Sequence, residues 1–290
     1  MSGPILEALD LHYAYPDGTR ALQGVTASVP EGARLAVVGP NGAGKTTLFL
    51  HFIGILKPSR GAVRFAGREI RYDRKSLADL RRRVGVVFQD PDTQLFSASV
   101  FEEVSFGPTN LGLSPEEVRR RVREALKATD TEDLADRPTH LLSYGEKKRV
   151  CMAGVLAMRP QVLICDEPTA GLDPRQTSRV MGILEQLVRE GRTVVIATQD
   201  VDLAYAWSDR VVVLTDGRVV GVGTPTEVFL DYELLHRADL APPWVVAVYR
   251  ELRLRGLVRS NEAVPRSPEQ LFQSLLASSS TEGGTLPTNA

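Results

Sequence analysis

The chain has 290 residues, of which 43% are hydrophobic and 24% are charged, fractions typical of a soluble globular protein with one large or two small domains. Its 35 basic and 36 acidic residues leave a net charge of −1, which gives no support to a nucleic-acid binder. There is no signal peptide and no apolar run near the ~18 residues of a membrane-spanning helix, so we expect any membrane role to come through a partner. Cys151 and Cys165 lie in apolar runs, which predicts buried free thiols and a reducing cytosol.

Residues 4–38 are predicted to form short strands, with turns at Pro16-Asp17-Gly18 and Pro30-Glu31-Gly32. Tyr15 directly precedes the first turn. A tyrosine beside a nucleotide-binding loop can stack on a base, or it can simply pack on the sheet, and its position alone favours neither interpretation.

A glycine-rich loop from Gly39 to Thr47 joins the apolar run 35–38 to an apolar helical segment at 48–53. This is the strand–loop–helix context that gives the pattern G-x-x-x-x-G-K-[ST] its meaning. The glycines let backbone N–H groups surround phosphate oxygens, and the helix N-terminus adds its positive dipole end. Lys45 can reach the β- and γ-phosphates, and the Thr46 hydroxyl can ligate Mg²⁺. The sequence therefore predicts a nucleoside triphosphate site.

Residues 62–72 are predicted to form a hairpin, and Val84–Phe88 a buried strand that ends at Gln89. Open α/β sheets bind ligands at the carboxyl ends of their strands, so Gln89 is a weak candidate for a binding residue.

The region 94–160 is predicted to be mainly helical. One helix begins at Ser114-Pro115-Glu116-Glu117, and another begins where Ser143 and Glu146 repeat the S-x-x-E spacing. By itself this second pattern indicates an ordinary capped helix, although a helix N-terminus can also bind an anion.

The apolar run 162–165 is predicted to be a buried strand that ends in Asp166 and Glu167. Such a strand has no structural use for two acids, which favours a functional interpretation. Because adjacent strand residues point to opposite faces, the two carboxylates can take separate roles. One can hold Mg²⁺ through water, while the other orients and deprotonates an attacking water.

The remaining predicted elements are a helix from Asp173-Pro174 to about Glu190, a strand at Thr193–Thr198, a short helix to about Trp207, a hairpin at 210–223, a short helix after Thr224, a helical appendage at 233–276 and a polar, disordered tail at 277–290.

The order of these motifs resembles that of the ATP-binding-cassette ATPases over about residues 4–230. The segments that carry this resemblance are the phosphate loop, Gln89, Leu142–Glu146, Asp166-Glu167 and Gly171-Leu172-Asp173. More narrowly, residues 89–96, 106–108 and 153–158, together with the appendage, are similar to the ATPases of energy-coupling-factor importers, most of all the cobalt ATPase subunit.

The resemblance implies an α/β fold with a P-loop NTPase core, an antiparallel β subdomain and a helical subdomain at about 90–160, all within residues 1–230. A C-terminal helical extension at 231–276 and the disordered tail at 277–290 would follow. The cofactors implied are ATP and Mg²⁺. The partners implied are a second copy of the chain and the membrane coupling (T) and substrate-binding (S) components of a cobalt importer. Such an ATPase is peripheral on the cytoplasmic face of the bacterial inner membrane, and the coupling component would rest near residues 94–107.

The resemblance also assigns a role to each candidate site residue. The residues that would bind ATP are Tyr15 (on adenine), Gly39, Asn41, Gly42, Ala43, Gly44, Lys45, Thr46 and Thr47. The residues that would serve Mg²⁺ are Thr46, Gln89 and Asp166. Glu167 would be the general base, and Ser143 and Gly145 would contact the γ-phosphate bound to the second copy.

The sequence departs from the family pattern at three positions. Tyr144 and Glu146 replace the usual glycine and glutamine of Leu-Ser-Gly-Gly-Gln; Glu146 keeps the capping geometry, and Tyr144 fits if its φ need not be positive. Gln199 replaces a histidine. Its amide can donate one hydrogen bond to a γ-phosphate, but it cannot carry a positive charge.

Three functions remain open at this stage. The first is a transport ATPase that powers cobalt import, with nickel or a vitamin as alternative cargo. The second, motivated by Gln199, is a hydrolysis-impaired dimer gated by nucleotide. The third is a soluble cassette ATPase of DNA repair or translation, which the single cassette and the lack of heptads disfavour.

Overall fold

The structure is a computed structural model that describes residues 3–258 and 263–279. Its strands are β1 (Pro4–Ala14), β2 (Arg20–Pro30), β3 (Arg34–Val38), β4 (Arg60–Phe65), β5 (Arg68–Glu69), β6 (Val84–Val87), β7 (Val162–Asp166), β8 (Thr193–Thr198), β9 (Arg210–Thr215) and β10 (Arg218–Gly223). Its helices are α1 (Lys45–Phe52), α2 (Arg74–Arg83), α3 (Val100–Asn110), α4 (Pro115–Ala128), α5 (Tyr144–Leu156), α6 (Pro174–Arg189), α7 (Val201–Trp207), α8 (Pro225–Phe229), α9 (Tyr232–Arg237), α10 (Trp244–Leu254) and α11 (Pro268–Ser279).

Six strands form the central sheet in the order β10-β9-β3-β8-β7-β6. All are parallel except β10, which pairs antiparallel with β9 at one edge. Every residue of β7 and β8 is buried, as expected for parallel strands that are covered on both faces. The carboxyl ends of β3, β7 and β8 therefore meet at one edge of the sheet, where doubly wound folds bind their ligands.

A second, antiparallel sheet has the order β2-β1-β4-β5. It shares one apolar core with the central sheet, in which Leu11 of β1, Leu48 of α1 and Val195 of β8 belong to the same buried cluster. This core holds the start of α1, and hence the predicted phosphate loop, against the central sheet.

Helices α3, α4 and α5 form the helical subdomain. Val104, Val122 and Val150, one from each helix, belong to a buried cluster that also contains Leu163 of β7. The predicted α/β architecture, with its antiparallel and helical subdomains, is confirmed.

The C-terminal region is helical, from α8 through α11. The guanidinium of Arg266 attaches it to the central domain by donating hydrogen bonds to the carbonyl oxygens of Tyr205 and Ser208, at the end of α7. Helix α11 extends to Ser279, so the prediction of a disordered tail that starts at residue 277 is wrong for residues 277–279. The rest of that predicted tail, residues 280–290, lies outside the described residues. Within the described ranges, no helix is both long enough and apolar enough to span a bilayer.

Candidate functional site

The loop between β3 and α1 has little freedom to change shape. A Cβ at Gly39 would lie 1.9 Å from the carbonyl oxygen of Leu214, and Gly44 has a φ of 103° and lies against Ala21. The ammonium of Lys45 donates to the carbonyl oxygens of Gly39 (2.7 Å) and Pro40 (3.1 Å). The chain thus bends around its own lysine, which is the shape that surrounds a phosphate.

Thr46 and Asp166 form the next part of the site. Thr46 lies in the first turn of α1, and its hydroxyl donates to Oδ2 of Asp166, the last residue of β7, at 2.5 Å. Burial raises the pKa of Asp166, while the Thr46 hydroxyl and the Lys45 ammonium act in the opposite direction. A hydroxyl and a carboxylate at this distance are the hard oxygen donors that Mg²⁺ prefers.

Glu167 lies outside the strand, which corrects the sequence prediction that it continues β7 and points to the face opposite Asp166. The strand ends at Asp166, and Glu167 has a φ of 44°. This left-handed conformation is uncommon for a residue other than glycine and costs about 1–3 kcal/mol, so the surroundings must hold it. Tertiary contacts at the strand end, rather than the alternation of a strand, decide where this side chain points.

The carboxylate of Glu167 is held by the end of β8. Oε1 accepts a hydrogen bond from the backbone N–H of Gln199 (3.0 Å), and Oε2 accepts one from the Thr198 hydroxyl (3.3 Å). Oε1 also lies 3.9 Å from the ammonium of Lys45. Burial raises the pKa of Glu167, with Lys45 as the main opposing influence. A carboxylate with a raised pKa that is fixed beside the lysine of the predicted phosphate loop is suited to accept a proton.

Gln199 and Tyr15 lie beside this cluster. The side chain of Gln199 is exposed, so the contact to Glu167 is made by its backbone alone. Tyr15 is half-buried; its hydroxyl lies 3.0 Å from Oγ1 of Thr47, and its ring packs edge-on against Tyr13.

Ser143 and Gly145 lie at the N-terminus of α5. The predicted capping box is confirmed, since Ser143 and Glu146 exchange hydrogen bonds in both directions. Gly145 is buried, and a Cβ there would lie 3.0 Å from the side chain of Gln176. Tyr144 is helical and is not among the residues with positive φ, so a tyrosine is compatible with this position.

The structure therefore brings Lys45, Thr46, Asp166, Glu167 and the backbone of Gln199 together. Among the described residues, no hydrogen bond or ion pair joins Ser143 or Gly145 to this cluster. The side chain of Gln89 is exposed, and its carbonyl oxygen accepts a bond from the Tyr144 hydroxyl at 3.2 Å.

Sequence reasoning missed two residues. The sequence predicts Thr198 only as the end of a strand, although a hydroxyl at the carboxyl end of a buried strand next to β7 is a signal for a site residue. Lys148 was not singled out, although it is a lysine at the start of an apolar helical run. It is fully buried, and its ammonium donates to the carbonyl oxygens of Phe88, Gln89 and Glu167.

The family profile described as ABC transporter matches residues 22–170, more than half of the 290 residues. The chain belongs to the ABC transporter family. This cassette is 52% identical over 241 residues to the energy-coupling factor transporter ATP-binding protein EcfA of Methanocaldococcus jannaschii, covering 83% of this chain and 86% of that protein.

Two solved structures share the fold of the cassette. The structure of cbiO1 from Clostridium perfringens, described as part of the ABC transporter complex cbiONQ, aligns with a TM-score of 0.74 and 47% identity, covering 88% of this chain and 99% of that chain. The ATP-binding cassette MJ0796, described as a dimeric post-hydrolysis state bound to ADP and Pi, aligns with a TM-score of 0.69 and 28% identity, covering 76% and 98%. The predicted assignment to the ATPases of energy-coupling-factor transporters is confirmed.

Proposed function

We propose that this chain powers the import of cobalt ion through an energy-coupling-factor transporter, by closing as a homodimer on ATP and reopening after hydrolysis. The observation that carries the hydrolytic role is the placement of Glu167, whose carboxylate lies 3.9 Å from the ammonium of Lys45. A base and a phosphate-binding cation are thereby held at the same edge of the sheet.

In this proposal the loop from Gly39 to Thr47 binds the phosphates, and Tyr15 packs against the adenine. Glu167 accepts a proton from a water that attacks the γ-phosphorus, and the bond from that phosphorus to the bridging oxygen of ADP breaks. The exposed amide of Gln199 donates a hydrogen bond to the γ-phosphate in place of the family's histidine.

Thr46 and Asp166, with the amide of Gln89, would hold Mg²⁺. Their oxygen atoms fit that cation, and the short Thr46–Asp166 contact shows that both side chains converge on one point. When bound, Mg²⁺ neutralises charge on the β- and γ-phosphates.

The N-terminus of α5 completes the site across a dimer interface in this proposal. Ser143 is exposed at the start of this helix, where unpaired backbone N–H groups and the positive end of the helix dipole favour a phosphate. The dimeric state described for MJ0796 supports a homodimer here.

A membrane coupling protein would dock at the aromatic surface, defined as Phe96, Phe101 and Phe106. Phe96 and Phe106 are 64% and 50% exposed, and their rings contact edge-on at 4.7 Å. The buried carboxylate of Glu103 accepts the backbone N–H groups of Phe96 and Ser97, which fixes the loop that carries Phe96. A pair of large exposed aromatic rings on a rigid segment is typical of an interaction site. The chain would accordingly be peripheral on the cytoplasmic face of the membrane.

Cobalt as cargo rests on the likeness to the cobalt ATPase subunit and on the 47% identity to cbiO1 of the cbiONQ complex. The test is reconstitution of the chain with its membrane components in vesicles that contain ATP-regenerating reagents. ATP-dependent uptake of radioactive Co²⁺ should exceed uptake of Ni²⁺, and the Glu167→Gln variant should give neither. If the same vesicles take up a vitamin but no Co²⁺, the cargo assignment is overturned, while the assignment as an ATPase stands.

A further inference from the structure

Lys148 is a buried cation whose hydrogen bonds all go to the backbone. It lies in α5, its side chain is 0% exposed, and its ammonium donates to the carbonyl oxygens of Gln89 (2.6 Å), Glu167 (3.1 Å) and Phe88 (3.3 Å). Three bonds use the full donor capacity of an ammonium group. Among the described residues, no carboxylate lies within ion-pair distance of it. Burial lowers the pKa of Lys148, while the nearby thiols and the carboxylates of Asp166 and Glu167 act in the opposite direction.

The carbonyl groups that Lys148 joins belong to two neighbouring strand ends. Gln89 follows β6 and Glu167 follows β7, and these strands pair in parallel. Tyr144, one turn earlier in α5, donates its hydroxyl to the same carbonyl oxygen of Gln89 at 3.2 Å. Two residues in the first two turns of α5 therefore donate hydrogen bonds to the carbonyl oxygen of Gln89. Of these two, Lys148 also donates to the carbonyl oxygen of Glu167.

The peptide groups of Glu167 depend on such contacts. Its backbone is left-handed, with a φ of 44°, a conformation that persists only when its surroundings enforce it. Its N–H donates to the carbonyl oxygen of Ala197 at 3.0 Å, and its own carbonyl oxygen accepts from Lys148 at 3.1 Å and from the N–H of Ala170 at 3.3 Å. Removing the ammonium leaves this carbonyl oxygen with only the longer bond from Ala170, so the peptide group can rotate and shift the carboxylate on its contacts with Thr198 and Gln199.

A simple packing role explains Lys148 less well. The adjoining residues Cys151 and Met152 are buried and apolar, and a methionine would fill a similar volume without taking a charge out of water. A methionine could not make the three hydrogen bonds that the ammonium donates to the two strand ends.

We propose that Lys148 is a positioning residue for ATP hydrolysis, which couples the position of α5 to Gln89 and to the catalytic carboxylate of Glu167. This inference rests on the proposed role of Glu167 as general base. Because Ser143 begins the same helix, any shift of α5 on dimer closure is transmitted through Lys148 to the base.

The test compares Lys148→Met, Lys148→Gln and the matched control Lys147→Met in the full chain with its membrane partners. Lys147 is the adjacent lysine in the same helix, but it pairs with Asp92 at 2.6 Å and does not contact Glu167. We expect Lys148→Met to lower kcat about 100-fold, as a misplaced group of ~1 Å does, with KM for ATP changed less than about 3-fold, a bound set by uniform binding. The kcat of Lys148→Gln, which keeps two donor hydrogens, should lie between those of the parent and of Lys148→Met. The kcat of Lys147→Met should match that of the parent.

A second measurement distinguishes a positioning role of Lys148 from a general loss of structure in the variant. In a Glu167→Gln background, ATP should drive dimer formation on a sizing column equally well with Lys148 or with methionine at that position. Four results would each overturn the proposal. They are loss of that dimer, a rise in KM that matches the loss in kcat, an unchanged kcat in Lys148→Met, and failure of both Lys148 variants to fold. If Glu167→Gln itself keeps parental turnover, the proposed base is wrong; if it is inactive while Lys148→Met is fully active, only this inference fails.

Discussion

The backbone N–H of Gln199 donates a hydrogen bond to Oε1 of Glu167 at 3.0 Å. Any residue at position 199 other than proline can make this contact, so the replacement of histidine by glutamine leaves the base in place. We expect Gln199→His to turn over ATP within about 10-fold of the parent, a difference that one hydrogen bond to a charged group explains. Both should exceed the Glu167→Gln blank by the ~10²–10⁴-fold typical of a general base.

The measurement is steady-state ATP turnover of the three proteins with the reconstituted membrane partner. The prediction would be contradicted if the parent chain turned over ATP no faster than Glu167→Gln while Gln199→His restored turnover. The chain would then be a dimer trapped with ATP bound.

We expect the loss of kcat in acid to begin at a higher pH than it would with a glutamate of ordinary pKa as the base. Burial raises the pKa of Glu167 above 4.5, and a base works only when deprotonated, so kcat is lost as pH falls through the raised value. Thr198 opposes that shift through its hydroxyl, so Thr198→Val should move the acidic limb of the pH–rate profile to still higher pH. A limb that stays where it is in the parent, or that moves to lower pH, would show that another group controls this limb.

The phosphate loop should not tolerate a methyl group at Gly39. A Cβ there would lie 1.9 Å from the carbonyl oxygen of Leu214, a backbone atom that cannot swing away. We expect Gly39→Ala to lower the free energy of unfolding by roughly 3 kcal/mol, as overpacked sites do. Gly182 is the matched control, because it is exposed within α6 and a Cβ there meets nothing within 4 Å. Gly182→Ala should raise the free energy of unfolding by about 1 kcal/mol. Urea unfolding of both variants checks these values, and an unchanged midpoint for Gly39→Ala would refute the predicted clash.

The aromatic surface should be needed for coupling but not for chemistry. Replacing Phe96 and Phe106 by serine removes two rings that are 64% and 50% exposed and that contact each other edge-on. Turnover of the isolated chain should be unchanged, while affinity for membranes that contain the partner falls at least ~10-fold, as loss of an interface anchor does. Co-sedimentation with those membranes measures this. Val222→Ser is the control, since Val222 is 60% exposed on β10, at the opposite edge of the central sheet from β6. Equal binding by the double variant and the control would place the docking surface elsewhere.

The parts of the site that the sequence predicts well are those defined by local pattern. The phosphate loop follows from glycine spacing between a strand and a helix, and the Ser143–Glu146 capping box from two residues three apart. Both can be recognised from residue types at fixed local spacing, which a single sequence reveals, although the contacts of Gly39 with Leu214 and of Gly44 with Ala21 cannot.

The parts that the sequence does not predict depend on distant contacts. The left-handed residue Glu167 makes one local backbone bond, from Ala170, but its other backbone bonds go to Ala197 and Lys148, which lie elsewhere in the chain. The hydroxyl contact from Tyr15 reaches Thr47, 32 residues away. Periodicity carries no information on such pairs, so the strand rule assigned Glu167 to the wrong conformation.

The conformation of Glu167 implies that stability and activity are in conflict at this position. Glycine adopts a φ of 44° without the steric cost that glutamate bears. A chain with glycine at 167 would therefore be harder to unfold, by about 1 kcal/mol, and inactive. A search for thermostable variants of this protein that ignored turnover would therefore select for loss of the proposed general base.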